Sequence, residues 1–371
     1  MQFVDLHAQY GRIQREVEAA VLRVLRSGKY IMGPEVEQLE AELARFTGVD
    51  HVVSCASGTD ALVMALMAKG VGPGDAVFTV PFTFVATAEA IATVGATPVF
   101  VDVDPATFNI APGALQQAIR SHEGATPRAI IPVDLFGLPA DYARINAIAA
   151  DHGLFVIEDA AQSFGASAGN RCACALADIG CTSFFPAKPL GCYGDGGAIF
   201  TNDGDLASVL RSIRVHGQGA HKYENVRLGL TGRLDTLQAA VLLEKLKIFE
   251  DELAARQRVA AEYSRHFAQA LLPLSAQVIP DGHTSAWAQY SVVAATATDR
   301  DQLIKRLAAA SVPTAIYYPQ PLHLQPAFAY LDYGKGDFPV SESLSDRILS
   351  LPMHPYLADE VIGRIVSVMS V

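Results

Sequence analysis

Charge is scarce in this chain of 371 residues, at 18% of positions, and positive charge is the scarcer sign: 28 Lys and Arg against 39 Asp and Glu. The resulting net charge of -11 argues against a nucleic-acid partner, whose phosphates call for clustered basic side chains. No stretch approaches the ~20 uninterrupted apolar residues that a membrane helix needs. The amino terminus, Met1-Gln2-Phe3-Val4-Asp5-Leu6-His7, has neither the basic start nor the apolar run of a secretory signal. Cysteines are few and odd in number, five in all. Cys172 and Cys174 are separated by one residue, which is not the spacing of a zinc knuckle or a CxxC redox pair. Cys55, Cys181 and Cys192 stand singly among apolar or small residues, as buried free thiols do. These absences describe a reduced, cytoplasmic, acidic protein without a disulfide framework or metal cluster.

Half of the residues are hydrophobic, enough for one large domain and a smaller one, each with a core. Residues 13–46 have helical spacing in Ile13, Val17, Val21, Val24, Val36, Leu39 and Leu43, interrupted at Gly33-Pro34, where Pro34 suits the first turn of a second helix. Short apolar runs follow at 51–54, 76–80, 97–101, 129–133, 154–157, 179–184 and 198–201. Helix-like segments such as 59–69 and 141–152 lie between several of them. Seven buried strands interleaved with helices predict an α/β fold with a large, mainly parallel sheet covered on both faces. Residues 234–267 form a helical pattern without a breaker, leading from a large domain (1–249) into a smaller α+β domain (250–371). Pro-rich loops at 313–326 and 351–355 punctuate the latter. In parallel sheets ligands bind at the carboxyl ends of the strands, so functional residues are expected just after the apolar runs.

Three groups occupy such places. Ser57-Gly58-Thr59-Asp60 follows the first run and opens a helix, where free N–H groups and a positive dipole end suit a phosphate; a plain helix cap is the other reading. Asp159, in Val156-Ile157-Glu158-Asp159, is a carboxylate at the end of a buried strand and needs a cation or donor, which a protonated pyridine nitrogen or a structural partner would supply. Lys188 stands among Phe184, Phe185, Pro186, Pro189 and Leu190, where desolvation lowers an amine's pKa and makes it a nucleophile, the setting of a Schiff-base lysine. By contrast, Gly70-Val71-Gly72-Pro73-Gly74-Asp75 follows a helix and precedes a strand, the reverse of a dinucleotide loop, and reads as a turn.

Together with Phe3-Val4-Asp5-Leu6, Tyr30-Ile31-Met32-Gly33-Pro34-Glu35-Val36, Gly232-Arg233-Leu234-Asp235 and Leu351-Pro352-Met353-His354-Pro355, these motifs resemble the DegT/DnrJ/StrS nucleotide-sugar aminotransferases over essentially the whole length. That group belongs to the fold-type I pyridoxal-phosphate enzymes. The resemblance implies pyridoxal 5'-phosphate as cofactor, Lys188 as the Schiff-base lysine and proton shuttle, and Asp159 as the acid that keeps the pyridinium protonated. It implies Gln162 over the ring hydroxyl, Phe84 stacked on the ring, and Ser57, Gly58, Thr59 and Ser183 around the phosphate. It also implies a homodimer with composite sites, in which the segment near Thr231 reaches the partner's phosphate. Thr231 departs from the Asn usual there, and its hydroxyl has a shorter reach. Glutamate is the implied amino donor and a keto group on a nucleotide-linked hexose the acceptor. The wording around Lys188 is most similar to enzymes aminating C3 of UDP-2-acetamido-2-deoxy-3-oxo-glucuronate. Arg233 then either clamps the sugar carboxylate or pairs structurally with Asp235 or another acid. Tyr317, Tyr318 and His323 are expected to line the sugar site, although similar enzymes tend to have His where Tyr317 stands. A dTDP-linked 3- or 4-keto-6-deoxyhexose is the alternative substrate. A non-catalytic regulatory protein of the same fold is the alternative of another class, and it would be expected to have lost Lys188 or Asp159.

Overall fold

A computed structural model describes residues 1–370. The chain begins with two helices, α1 (Leu6–Ser27) and α2 (Pro34–Thr47). The first is capped by Asp5, whose side chain accepts from the Ala8 N–H at 2.9 Å; the second starts with Pro34 at a position that needs no N–H. Alternation follows: β1 (His51–Cys55), α3 (Gly58–Ala68), β2 (Asp75–Thr79), α4 (Ala86–Thr93), β3 (Thr97–Phe100), α5 (Pro112–Ser121), β4 (Thr126–Ile130), α6 (Tyr142–His152) and β5 (Phe155–Asp159). A small hairpin, β6 (Ser167–Ala168) and β7 (Arg171–Cys172), precedes β8 (Ile179–Ser183), β9 (Gly197–Thr201) and α7 (Gly204–Ile213).

Seven of these strands form one sheet in the order β1-β9-β8-β5-β4-β2-β3. Only β9 is antiparallel to its neighbours, so the carboxyl ends of the other six share an edge. Alternation along each strand sends side chains to opposite faces. Phe78, Ile130 and Val156 pack with Leu115, Ile119, Ile145 and Ile148 of α5 and α6, whereas Val77, Ala129 and Ile157 pack with Leu62, Leu66 and Leu210 of α3 and α7. All seven expected strands are present. The fourth is displaced: it runs over 126–130 rather than 129–133, and Val133 makes only an isolated bridge to Asp159.

The expected single helix over 234–267 is two helices, α8 (Thr236–Leu246) and α9 (Phe249–Ala270), broken at Lys247-Ile248. Neither Gly nor Pro causes the break. The Phe249 ring stands 5.5 Å from that of Phe164 and 5.6 Å from that of Phe46, and burying it there redirects the chain. Beyond α9 come β10 (Leu274–Ala276), β11 (His283–Thr284), β12 (Tyr290–Ala294), α10 (Ala297–Ala309), α11 (Pro339–Arg347), β13 (Ile348–Leu351) and α12 (Asp359–Met369). Strands β10, β12 and β13 make a separate antiparallel sheet with its own core, including Val259, Tyr263, Tyr290, Leu349, Ile362 and Ile365. Among the described residues, all five cysteines are free, no helix is long and apolar enough to cross a membrane, and no metal-ligand cluster occurs.

Candidate active site

The shared strand edge collects the sequence candidates. Ser57 caps α3 two residues past β1, and its hydroxyl accepts from the Asp60 N–H at 3.0 Å. The Ala61 N–H already bonds to the Ser57 carbonyl, which leaves those of Gly58 and Thr59 without partners among the described residues and aimed along the dipole. Gly58 is required for packing: a Cβ there would stand 2.6 Å from the Ser183 Cβ. Ser183 ends β8, so the turn after β1 and the end of β8 form one cradle.

Asp159 ends β5 and is 5% exposed. Its Oδ2 accepts from the Thr87 hydroxyl at 2.8 Å and its Oδ1 from the Ala161 N–H at 3.2 Å. Burial pushes its carboxyl above the ordinary value, against the hydrogen bonds and the nearby charge of Lys188. Burial lowers the Lys188 ammonium, opposed by Asp159, although the side chain keeps some exposure. Burial thus moves both groups toward their neutral forms, and the charge of each opposes that shift in the other. Glu158, the sequence neighbour, points elsewhere: its carboxyl accepts from the N–H groups of Cys174 at 2.6 Å and Leu176 at 2.9 Å. It is a structural acid.

Gln162 is buried, accepts from the Phe136 N–H at 2.7 Å, and donates to the Tyr318 hydroxyl at 3.4 Å. The Tyr318 ring lies 6.3 Å from that of Phe84, which is exposed, and 5.7 Å from that of Tyr317. Gln162, Phe84, Tyr317 and Tyr318 are therefore joined by direct contacts, and the charges of Asp159 and Lys188 are felt in the same neighbourhood. His323 lies apart from these links. It is 2% exposed, packs its ring 4.7 Å from that of Phe338, and shares a hydrogen bond with Glu342 at 3.1 Å.

Thr231 and Arg233 have no hydrogen bond or ion pair to this group among the described residues. The Thr231 hydroxyl meets His216 Nε2 at 2.9 Å. Arg233 forms no ion pair with Asp235 or any other acid among the described residues, and its buried Nε has no partner. The structural pairing considered for it is not found. Sequence reasoning passed over Thr87 and Lys245. Thr87 lies in the same Pro81–Thr87 segment as Phe84, three residues on; Lys245 lies in the last turn of a helix without any local signal. A concavity lined by Lys69, Arg128, Asp178 and Asp203 sits at the opposite sheet edge and carries none of these groups.

The match to known proteins agrees with this geometry. The profile of the DegT/DnrJ/EryC1/StrS aminotransferase family matches residues 12–370. The chain is 52% identical over 359 residues to a UDP-2-acetamido-2-deoxy-3-oxo-D-glucuronate aminotransferase of Pseudomonas aeruginosa, covering 96% of each. It is 44% identical over 360 residues to a pleiotropic regulatory protein of Geobacillus stearothermophilus, covering 96% of this chain and 94% of that one. It superposes on the crystal structure of a DegT DnrJ EryC1 StrS aminotransferase from Brucella abortus with a TM-score of 0.95 and 52% identity, covering 100% of this chain and 98% of the other. Similarity of this extent, with the lysine, the buried acid and the Ser57–Thr59 turn gathered at one edge of the sheet, places the chain in the DegT/DnrJ/EryC1/StrS aminotransferase family.

Proposed function

We propose that the protein transfers an amino group from glutamate to C3 of UDP-2-acetamido-2-deoxy-3-oxo-glucuronate, with pyridoxal 5'-phosphate as cofactor, in the synthesis of a cell-surface polysaccharide or amino sugar. The observation that carries this reading is the desolvated Lys188 beside the buried Asp159. The residues fit the cofactor. Gly58 and Thr59 offer free N–H groups to a phosphate, and Gly58 lacks the Cβ that would close the cradle against Ser183. Ser57, Gly58, Thr59 and Ser183 would hold the phosphate, Asp159 the ring nitrogen, Gln162 the ring hydroxyl, and Phe84 the ring face. When bound, the cofactor supplies a carbonyl that condenses with amines and a ring that accepts the electron pair.

The protein's own groups do the rest. Lys188 Nζ, whose pKa burial lowers toward the neutral amine, would move a proton from the donor's α-carbon to the cofactor carbon in the first half reaction and from that carbon to C3 of the sugar in the second. Asp159, oriented by Thr87 and the Ala161 N–H, would hold the ring nitrogen of the bound cofactor. For the sugar, Arg233 has a guanidinium free of acid partners among the described residues, suited to a hexuronate carboxylate, and Tyr317 and Tyr318 offer hydroxyls beside Phe84. His323, expected with them at the sugar site, has its ring packed on Phe338 and hydrogen-bonded with Glu342, which gives that role no support. A dTDP-linked 3- or 4-keto-6-deoxyhexose would leave Arg233 without its anion. The non-catalytic reading, which the name of the Geobacillus relative raises, gains nothing from this site, where Lys188 and Asp159 both stand.

We also infer a homodimer in which Thr231 of each chain serves the partner's phosphate, a cytoplasmic home consistent with five free thiols, and a division near residue 249 into a cofactor domain and a smaller one. The described residues of that second unit end at 370. The test is direct. Borohydride reduction of the cofactor-loaded protein followed by peptide mass spectrometry should place the adduct on Lys188, and an adduct elsewhere, or none, would overturn the mechanism. A panel of keto-sugar nucleotides with glutamate should give fastest turnover with the hexuronate; faster turnover of a 6-deoxyhexose would move the assignment to the dTDP sugar.

A further inference from the structure

The segment carrying Lys188 is a closed turn. The Cys192 N–H donates to the Phe184 carbonyl at 2.8 Å, the Lys188 N–H to that of Phe185 at 2.9 Å, and the Phe184 N–H to that of Gly196 at 2.7 Å. At the neck, a Cβ on Gly191 would stand 2.5 Å from the Pro186 carbonyl oxygen and 2.6 Å from that of Phe185. The residues three before and three after Lys188 are thus in contact. Any shift of the Gly191 peptide moves both limbs of the turn.

Helix α8 grips this neck from outside. Lys245, 1% exposed, donates from Nζ to the Gly191 carbonyl at 2.7 Å and lies 4.2 Å from the centroid of the Tyr193 ring. Two turns earlier on α8, the Gln238 side-chain oxygen accepts from the Tyr193 N–H at 2.8 Å. Burying an ammonium is costly, and a methionine of similar length would fill the space without that cost. Burial indeed pushes the Lys245 ammonium down to about 8, against the pull of Glu252. Its hydrogen bond goes to the Lys188 turn and not to another part of the core.

We propose that Lys245 is a positioning residue for Lys188: by fixing the Gly191 carbonyl it sets where the Lys188 amine stands relative to Asp159 and the cofactor ring. This rests on Lys188 being the residue that takes the cofactor. A lysine that merely held α8 to the sheet would alter stability alone, whereas a positioning lysine alters the chemistry of Lys188 in a protein that still folds and loads.

The experiment compares Lys245→Met, Lys245→Arg and Tyr193→Leu in the cofactor-loaded protein. Lys245→Met should keep the cofactor but move the pH midpoint of the Lys188-linked visible absorbance by about half a unit or more. Its kcat for the glutamate half reaction should fall by about tenfold with KM changed less than about threefold. Lys245→Arg, which retains donor and charge, should restore most of both. An unmoved midpoint in a folded, loaded Lys245→Met protein overturns the proposal, as does a loss that Lys245→Arg does not relieve. Should Lys245→Met not fold, Tyr193→Leu decides: this ring is partly exposed, and its removal frees the ammonium to tilt from the turn. A moved midpoint there supports the proposal and an unmoved one overturns it. Failure of the underlying reading is seen separately, as a borohydride adduct of the parent protein on a lysine other than Lys188.

Discussion

Glu158 and Asp159 are adjacent and both buried, yet strand alternation gives them different surroundings. The first satisfies two N–H groups of the loop after β7, while the second is oriented by Thr87 toward the strand edge. Asp159→Asn should therefore preserve the fold and the cofactor while slowing both half reactions by on the order of a hundredfold, the scale of losing one preorganised charge interaction. Single-turnover rates measured at known cofactor content check this. Near-normal rates would make Asp159 a structural acid like its neighbour. Arg233 calls for a finer comparison. Arg233→Lys keeps the charge but loses the fork geometry, and should weaken binding of a hexuronate nucleotide by about 1.5–3 kcal/mol while sparing the glutamate half reaction. Affinities for the carboxylate sugar and its 6-hydroxyl analogue decide. Equal weakening of both would mean that Arg233 does not read the carboxylate.

Strand β5 also packs against the segment after β4, where Asp134 accepts from the Ala140 N–H and the Tyr142 hydroxyl, each at 2.9 Å, and from the Ser163 hydroxyl at 2.7 Å. Burial pushes Asp134 up to about 7, and burial together with Asp134 raises Glu158 beside it. A carboxyl whose folded pKa is raised binds its proton more tightly in the native state. Its stabilisation is full below the ordinary carboxylate pKa and is lost as pH rises through the folded value. Thermal unfolding between about pH 4 and 7 should thus show a contribution that declines with pH and that Asp134→Asn removes. His354, pushed down to about 4 by burial, contributes in the opposite sense over part of this range, losing stabilisation as pH falls. Only the difference between variant and parent isolates Asp134, and parallel melting curves would refute the assignment.

For the whole molecule, the excursion between α7 and α8 is the informative feature. Tyr223 and Leu228 on it are each 88% exposed, and Phe185 beside the Lys188 turn is 52% exposed. Large apolar side chains so placed would be covered in the homodimer proposed above. Leu228→Asp is expected to raise the monomer fraction in light scattering and to lower cofactor affinity in parallel, because Thr231 would no longer reach a partner's phosphate. A dimer of unchanged strength would remove this loop from the interface.

The sequence by itself determined the strands, their burial and the strand-edge location of Ser57, Asp159 and Lys188. These follow from local apolar runs and from small or charged residues that end them, signals that a few consecutive positions carry. It also carried the family, because motifs spread over the chain occur together. The early end of β4 has a local cause in Pro132, which has no N–H for the ladder. Long-range packing decided what no local signal encodes, the break between α8 and α9 made by Phe249 finding Phe164 and Phe46. Tertiary structure likewise decided that Thr87 orients Asp159 and that His323 packs on Phe338, away from the linked site residues. It also gave Lys245 its place under the Lys188 turn, 57 residues along the chain from Lys188. A side chain's partner is set by which distant elements come together, and that depends on the balance of packing and desolvation over the whole fold.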